Sequence, residues 1–328
     1  MRSLTRLMSA ALIVIAGTIT ASAQNGDTKW PERPVRFIVP FPAGSASDVV
    51  ARIVGQKLSV LLGQPFVIDN RSGASGEIGT SMLAHATPDG YTIGVATNST
   101  HVIAAILNAQ LSYDPLKDFA PVSMIGTSPY VLAIHPGVPA QNVADLIALA
   151  KRKPAALNYA SAGPASLAHI AGTLFSRLAN VSLTEVSYRS SSAAALDLAE
   201  GRIQLQFGTL APTLGQIRAK QVLALAVTGT KRTESLPEIP TLQESGLDGY
   251  DVELWMAVVM PAGSPSPAVA RLNRAVRDAI SAEDVARALK SQGLEPAFST
   301  PDALRDRIQT ELSKWRDLAA PANVNALQ

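Results

Sequence analysis

Residues 37–58, FIVPFPAGSASDVVARIVGQKL, limit the possible folds of this chain more than any other stretch. A short apolar run stops at Pro-Ala-Gly-Ser. Apolar residues then recur at helical spacing, with Val49, Ile53, Val54, Leu58 and Leu61 on one stripe. A strand that turns straight into a helix is the repeating unit of a parallel sheet, whose neighbouring strands need a crossover between them. The unit recurs downstream. PFVIDN and SGEIGTSMLAHA read as strand and helix, and YTIGVAT as a third strand before the polar NSTHVIAAIL. The middle of the chain continues, strand and helix by turns, with YVLAIHP, NVADLIALAKRK, LNYAS, SLAHIAGTLFSRLA, LTEVSYR, SSAAALDLAEG, IQLQFGT, TLGQIRAK and VLALAVTG. This punctuation implies an α/β fold built on mostly parallel, doubly wound sheets.

After the Pro-rich LPEIPTLQESGLDGY come the strand ELWMAVVMP and two amphipathic helices, PAVARLNRAVRDAIS and ALRDRIQTELSKWRDLA. This last part has no sheet of its own and is expected to pack back on the first. The expected organisation is a discontinuous first domain of residues 24–126 plus 256–328, and a second domain of residues 127–255. Crossovers are expected near 127–135 and 253–261.

The chain opens MRSLTRLMSAALIVIAGTITASAQ, in which Arg2 and Arg6 precede an apolar stretch and Ala21-Ser22-Ala23. That is the pattern of a cleavable secretory signal, with cleavage expected after Ala23 and export of a soluble mature chain. Its apolar core, at roughly a dozen residues, falls short of the about 20 that span a bilayer. The chain has 28 Lys and Arg against 26 Asp and Glu, and cleavage would remove Arg2 and Arg6, leaving the two balanced. A neutral chain with 5% aromatic residues and no basic run has no footprint for nucleic acid. With no cysteine, disulfides, thiolate metal sites and a Cys nucleophile are excluded.

At the carboxyl end of a parallel strand, the unpaired N–H groups and positive dipole of the following helix favour an anion. Gly permits close backbone approach, and Ser or Thr hydroxyls cap the helix or donate to a ligand. PAGSAS (42–47) has this chemistry, followed by Asp48 in the first helical turn; so do YASAGPAS (159–166), YRSSSA (188–193) and ATNST (96–100). Several such helix starts, in both halves of the chain, suggest a cleft that holds a small carboxylate from two sides. RSGASGEIG (71–79) lacks both the dinucleotide and the phosphate-loop patterns, and its glycines are read as allowing close packing.

Signs of catalysis are thin. His85, His101, His135 and His169 are scattered without metal-ligand spacing, and no G-x-S-x-G is present. No cofactor and no metal are expected. His169 lies three residues after Ser166, in the first turn of a helix, where it could face the cleft or serve as a cap. Asp48 is read as stabilising the helix dipole and the loop rather than as a general base, and Trp255 as core or hinge packing.

Residues 30–97, from WPERPVRFIVPFPAGSASDVV to TPDGYTIGVAT, resemble the start of the Bug family of periplasmic solute receptors, the binding proteins of tripartite tricarboxylate transporters. DFAPVSMIGTSPYVLAIHP, LNYASAGPASLAHIAGTLF, AEGRIQLQFG and the closing LKSQGLEPAFSTPDALRDRIQTELSKW extend the resemblance over nearly the whole mature chain. It implies a two-domain, type II-like periplasmic binding protein fold that closes on a small organic acid and does no catalysis. It points to Phe41, Ala43, Gly44 and Ser45 on one side of the cleft and Ser161, Ala162, Gly163 and Ser166 on the other. Thr97, Ser99 and Thr100 would line the space between. Ser47 and His169 join these from the loops themselves.

The chain departs from the family pattern at Ser45, often Gly, and at Arg189 and Ser190, commonly Lys-Gly. Gly208 stands where many members carry Asp, a loss expected to enlarge the pocket and to favour a dicarboxylate or aromatic carboxylate over an amino acid. The implied partners are that acid and transporter membrane subunits, with the receptor a monomer. The alternatives are a ligand sensor docking on a histidine kinase and a periplasmic enzyme using Asp48 or His169.

Overall fold

The computed structural model describes residues 29–318 except 162, 164, 165, 189 and 190. The chain begins with three strand-to-helix steps: β1 (Val35–Val39) into α1 (Ala46–Leu62), β2 (Phe66–Asn70) into α2 (Glu77–Ala84), and β3 (Thr92–Thr97) into α3 (Ala104–Leu107). The last step passes through a wide helical turn over Ser99–Ile103. β4 (Phe119–Ile134) leads into α4 (Val143–Arg152), β5 (Asn158–Ser161), α5 (Leu167–Ala179), β6 (Thr184–Ser187), α6 (Ser191–Ala199), β7 (Leu205–Thr209), α7 (Leu210–Arg218) and β8 (Leu223–Val227). β9 (Glu253–Pro261), α8 (Ser266–Ser281), α9 (Glu283–Ser291), β10 (Glu295–Pro296) and α10 (Pro301–Leu318) complete it.

The described strands run in the order β2-β1-β3-β9-β4-β7-β5-β6, with β8 and β10 also paired to β4. The outer pairs β1–β2, β1–β3, β5–β6 and β5–β7 are parallel, as the crossovers require. The centre is antiparallel, because β9 pairs β3 and β4, and β4 pairs β7 and β8. β4 changes partners within its own length: Phe119 to Pro129 face β9, whereas Tyr130 to Ile134 face β7. Only YVLAIHP was expected to be strand here. The strand in fact starts at Phe119, and register shifts between Pro121 and Ser123 and between Met124 and Gly126 break the alternation that would have marked it.

The expected stripe on α1 is turned. The helix buries Val50, Ala51, Val54, Gly55 and Leu58, while Leu61 is 45% exposed. α1 touches β1 and β2 on one side and α8 and α9 on the other, so its buried arc is wide and centred elsewhere. The closing segment holds three helices rather than two, since α9 follows α8 after a single residue, Ala282.

Gly172 in α5 lies under the ring of buried Tyr159, which is edge-on to Phe207. A Cβ there would sit 2.3 Å from Tyr159 Cε2. Gly172→Ala should therefore lower the free energy of unfolding by about 1–3 kcal/mol, the usual cost of overpacking. Urea unfolding checks this, and an unchanged midpoint would mean that the Tyr159 ring yields freely.

Candidate functional site

Ser45 is the N-cap of α1: its backbone is extended and its hydroxyl accepts from Asp48 N at 3.3 Å. Asp48 is 2% exposed and organises the loop before it. Its Oδ2 accepts from Gly44 N at 2.8 Å and Arg52 Nε at 2.9 Å; its Oδ1 accepts from Asn70 Nδ2 at 2.9 Å. Asn70 Nδ2 also donates to the Phe41 carbonyl. Burial alone would raise the Asp48 carboxyl, but Arg52, Gly44 and Asn70 outweigh it and hold the group below the usual carboxylate range. Asp48 is thus the loop's internal anion, and Gly44 N–H is spent on it. Ser45 N donates to Pro42 O. The N–H groups of Ala43, Ala46 and Ser47 make no hydrogen bond among the described residues. They point to an anion at the helix start. Gly44, at φ 81°, has nothing within 4 Å of where its Cβ would lie.

The loops after β2 and β3 close on this one. A Cβ at Gly76 would meet Thr100 Cγ2 at 2.8 Å and Phe41 Cζ at 3.3 Å, and one at Gly79 would meet the Arg71 carbonyl at 2.4 Å. The glycines of RSGASGEIG serve close packing, as expected. Thr97 and Thr100 are placed together, with Thr97 N donating to Thr100 Oγ1 at 3.1 Å. Thr100 is fully buried, its hydroxyl 3.0 Å from His101 Nδ1 and its carbonyl accepting from Tyr113, so it braces the turn. Thr97, at 3% exposure, is nearly as enclosed, while Ser99 is half-buried. His101, fully buried, is driven down to about 3 by desolvation and stays neutral. Asn98 is new to the site; its Nδ2 donates to the Glu253 carbonyl, and its buried Oδ1 has no partner among the described residues.

On the other side, Ser166 caps α5 and accepts from His169 N at 3.1 Å. The Ser166 hydroxyl and N–H both donate to Gly163 O, at 2.8 and 3.0 Å. Gly163 N donates to Ser161 Oγ at 2.9 Å, and Ser161 Oγ donates to Glu185 Oε1. Glu185 Oε2 accepts from His169 Nδ1 at 2.8 Å. Ser161, Gly163 and Ser166 are thus engaged with one another and with Glu185 of β6. Glu185, which sequence reading did not single out, sits at the centre of the network. His169 is buried against it and does not face the cleft as a free base. Ala162, Arg189 and Ser190 lie outside the described residues, as do residues 1–23, where a leader was expected.

Ser161, Ser166 and Gly208 line one pocket of about 90 Å³ together with Tyr130, Gln206 and Thr209. The space beside Gly208 is not vacated, contrary to expectation: a Cβ there would lie 2.4 Å from Thr213 Oγ1 and 2.8 Å from Gln206 Nε2. Those two side chains occupy the room that a carboxylate would need. Gly163, like Gly44, has nothing within 4 Å of its Cβ position. No group of His, Asp and Glu among the described residues could hold a metal ion, and no helix among them is long and apolar enough to cross a membrane.

Relatives carry the same architecture. The signature of the tripartite tricarboxylate transporter family receptor matches residues 50–324. Protein BugT of Bordetella pertussis is 33% identical over 314 residues, covering 95% of this chain and 96% of its own. Among solved structures, R. palustris Rpa4515 with adipate superposes with a TM-score of 0.72 at 35% identity, over 88% of this chain and 97% of its own. MatC of Rhodopseudomonas palustris with bound malate gives 0.68 at 32% identity, over 88% and 99%. With a signature spanning most of its length and relatives matched nearly end to end, the chain belongs to the tripartite tricarboxylate transporter receptor family and has its mixed α/β periplasmic binding protein fold.

Proposed function

We propose that this protein is an extracytoplasmic receptor that binds a small organic carboxylate and delivers it to a tripartite tricarboxylate-type membrane transporter. The observation that carries the reading is the set of uncommitted N–H groups of Ala43, Ala46 and Ser47 at the start of α1, beside a loop that opens at Gly44. Such a site takes an anion without needing a cation. Relatives with adipate and malate bound support an acid of that size. The cleft lies between a first domain of residues 24–126 plus 256–328 and a second of residues 127–255. The change of β4 partners between Pro129 and Tyr130 and the start of β9 at Glu253 support that division. Residues 1–23 are the export leader. Binding without turnover is favoured because the Ser161 proton goes to Glu185 rather than to His169, and the oxygens of Asp48 are occupied.

Thermal unfolding of protein refolded free of carried-over ligand tests the reading, against dicarboxylates, tricarboxylates, aromatic carboxylates and amino acids, with the corresponding amides as controls. At about a hundred times its dissociation constant the cognate acid adds roughly 2.7 kcal/mol to stability. Its amide adds nothing measurable. A panel in which no acid shifts the transition would defeat the proposed ligand chemistry.

A further inference from the structure

Tyr130 occupies the position at which β4 leaves β9 and joins β7, opposite Thr209. Its backbone is held on both sides by one buried residue. Tyr130 N donates to Thr228 Oγ1 at 2.7 Å, and Thr228 N donates to Tyr130 O at 2.9 Å. The ring forms part of the pocket wall with Ser161, Ser166, Gln206 and Thr209. Around it the polar groups are occupied. Ser161 donates to Glu185, Gly163 to Ser161, Ser166 to Gly163, and Gln206 Nε2 to Gln216 Oε1 at 3.3 Å. The Tyr130 hydroxyl makes no hydrogen bond among the described residues. A phenol hydroxyl that lines a pocket and has no partner there is a donor open to what enters it.

We infer that the Tyr130 hydroxyl donates to the far end of the bound acid and selects ligands that carry an oxygen there. The inference rests on the receptor reading above, in which the near carboxylate sits at the start of α1. The remaining chemistry of the pocket fits a neutral donor. Among the described residues no Lys or Arg lines it, and the Glu185 carboxylate stands one hydrogen bond away through Ser161. Burial pushes the Tyr130 phenol up to about 12, which keeps its proton in place at neutral pH. The backbone bonds fix the ring's point of attachment beside the pocket, both for a ligand that carries the oxygen and for a ligand that lacks it. Such a ligand leaves the donor unpaired, and this is the usual source of strong discrimination by buried polar groups.

Calorimetric titration of the parent and of Tyr130→Phe with adipate, malate and hexanoate decides the matter, with thermal midpoints of the free proteins as the folding control. The parent should bind at least one of the two diacids more tightly than hexanoate. In Tyr130→Phe that diacid should bind about tenfold more weakly, hexanoate should bind at least as tightly as it does to the parent, and the midpoint should stay within about a degree. Equal binding of the diacid by parent and variant overturns the role of Tyr130 and leaves the receptor reading standing. An equal loss for diacid and hexanoate also overturns it, since the ring would then act by packing alone. A parent that binds none of the three, nor any acid of the wider panel, brings down the receptor reading and the inference with it.

Discussion

A Glu253→Gln variant gains about 3 kcal/mol of stability over the parent at pH 8 and nothing at pH 4. Glu253 opens β9, opposite Pro129 of β4, with its side chain 11% exposed. Burial, reinforced by Asp251, pushes its carboxyl up to about 7, and Arg307, 3.5 Å away, offsets only part of this. In the unfolded chain the group titrates near 4.5. The folded state therefore holds a proton that the unfolded state has released between about pH 4.5 and 7. Its contribution is complete below the unfolded value and is lost as pH rises through the folded one. Glutamine copies the protonated form and carries no such loss. Urea midpoints at pH 4, 6 and 8 read the effect directly. Parallel stability curves for parent and variant would remove Glu253 as the source of the pH dependence.

Asp48→Ala should cost about 3 kcal/mol at pH 7 and weaken binding of the cognate acid at least tenfold. One carboxylate fixes Gly44, Arg52 and Asn70, and through Asn70 the Phe41 carbonyl. Hydrogen bonds to a charged group contribute about 1.5–3 kcal/mol each, and part of the loss is recovered when water reaches the exposed partners. Because the Asp48 carboxyl is held below its unfolded value, its contribution is present above about pH 4 and fades as pH falls through the folded value. The gap between parent and variant should shrink in acid, as it does for Glu253→Gln, but with the opposite sign, because here the parent is the more stable of the two. Chemical unfolding at pH 7 and pH 3, with titration of the acid at pH 7, separates the two effects. A variant that keeps full affinity would show that the loop holds its shape without Asp48.

The alternation of strand and helix was legible because apolar spacing switches cleanly from two to between three and four at each loop. The caps were legible too: Ser45 and Ser166 stand before Asp48 and His169 at the spacing that an N-cap uses. What the residues could not reveal was pairing across long separations. The first part of β4 carries Pro121 and Pro129 and two register shifts, so it reads locally as a loop, though it lies at the centre of the sheet. Glu185 sits in a short polar strand, and nothing near it in sequence announces that it will meet both Ser161 and His169. Tyr130 reads as one more member of an apolar run. Only its place beside β7 turns the hydroxyl toward polar neighbours.

The pairing of β9 with β3 has a consequence for how the chain is assembled. Val95 must find Val258, and β10, almost at the end of the chain, must find Gly126 and Thr127 of β4. Between them, β5 to β8 can gather around the far end of β4 using segments that are close neighbours in sequence. Closing the longer loop costs chain entropy before any contact repays it, so the intervening strands have a head start. In a chain synthesised from its amino end, the group of strands that begins first is the last to be completed.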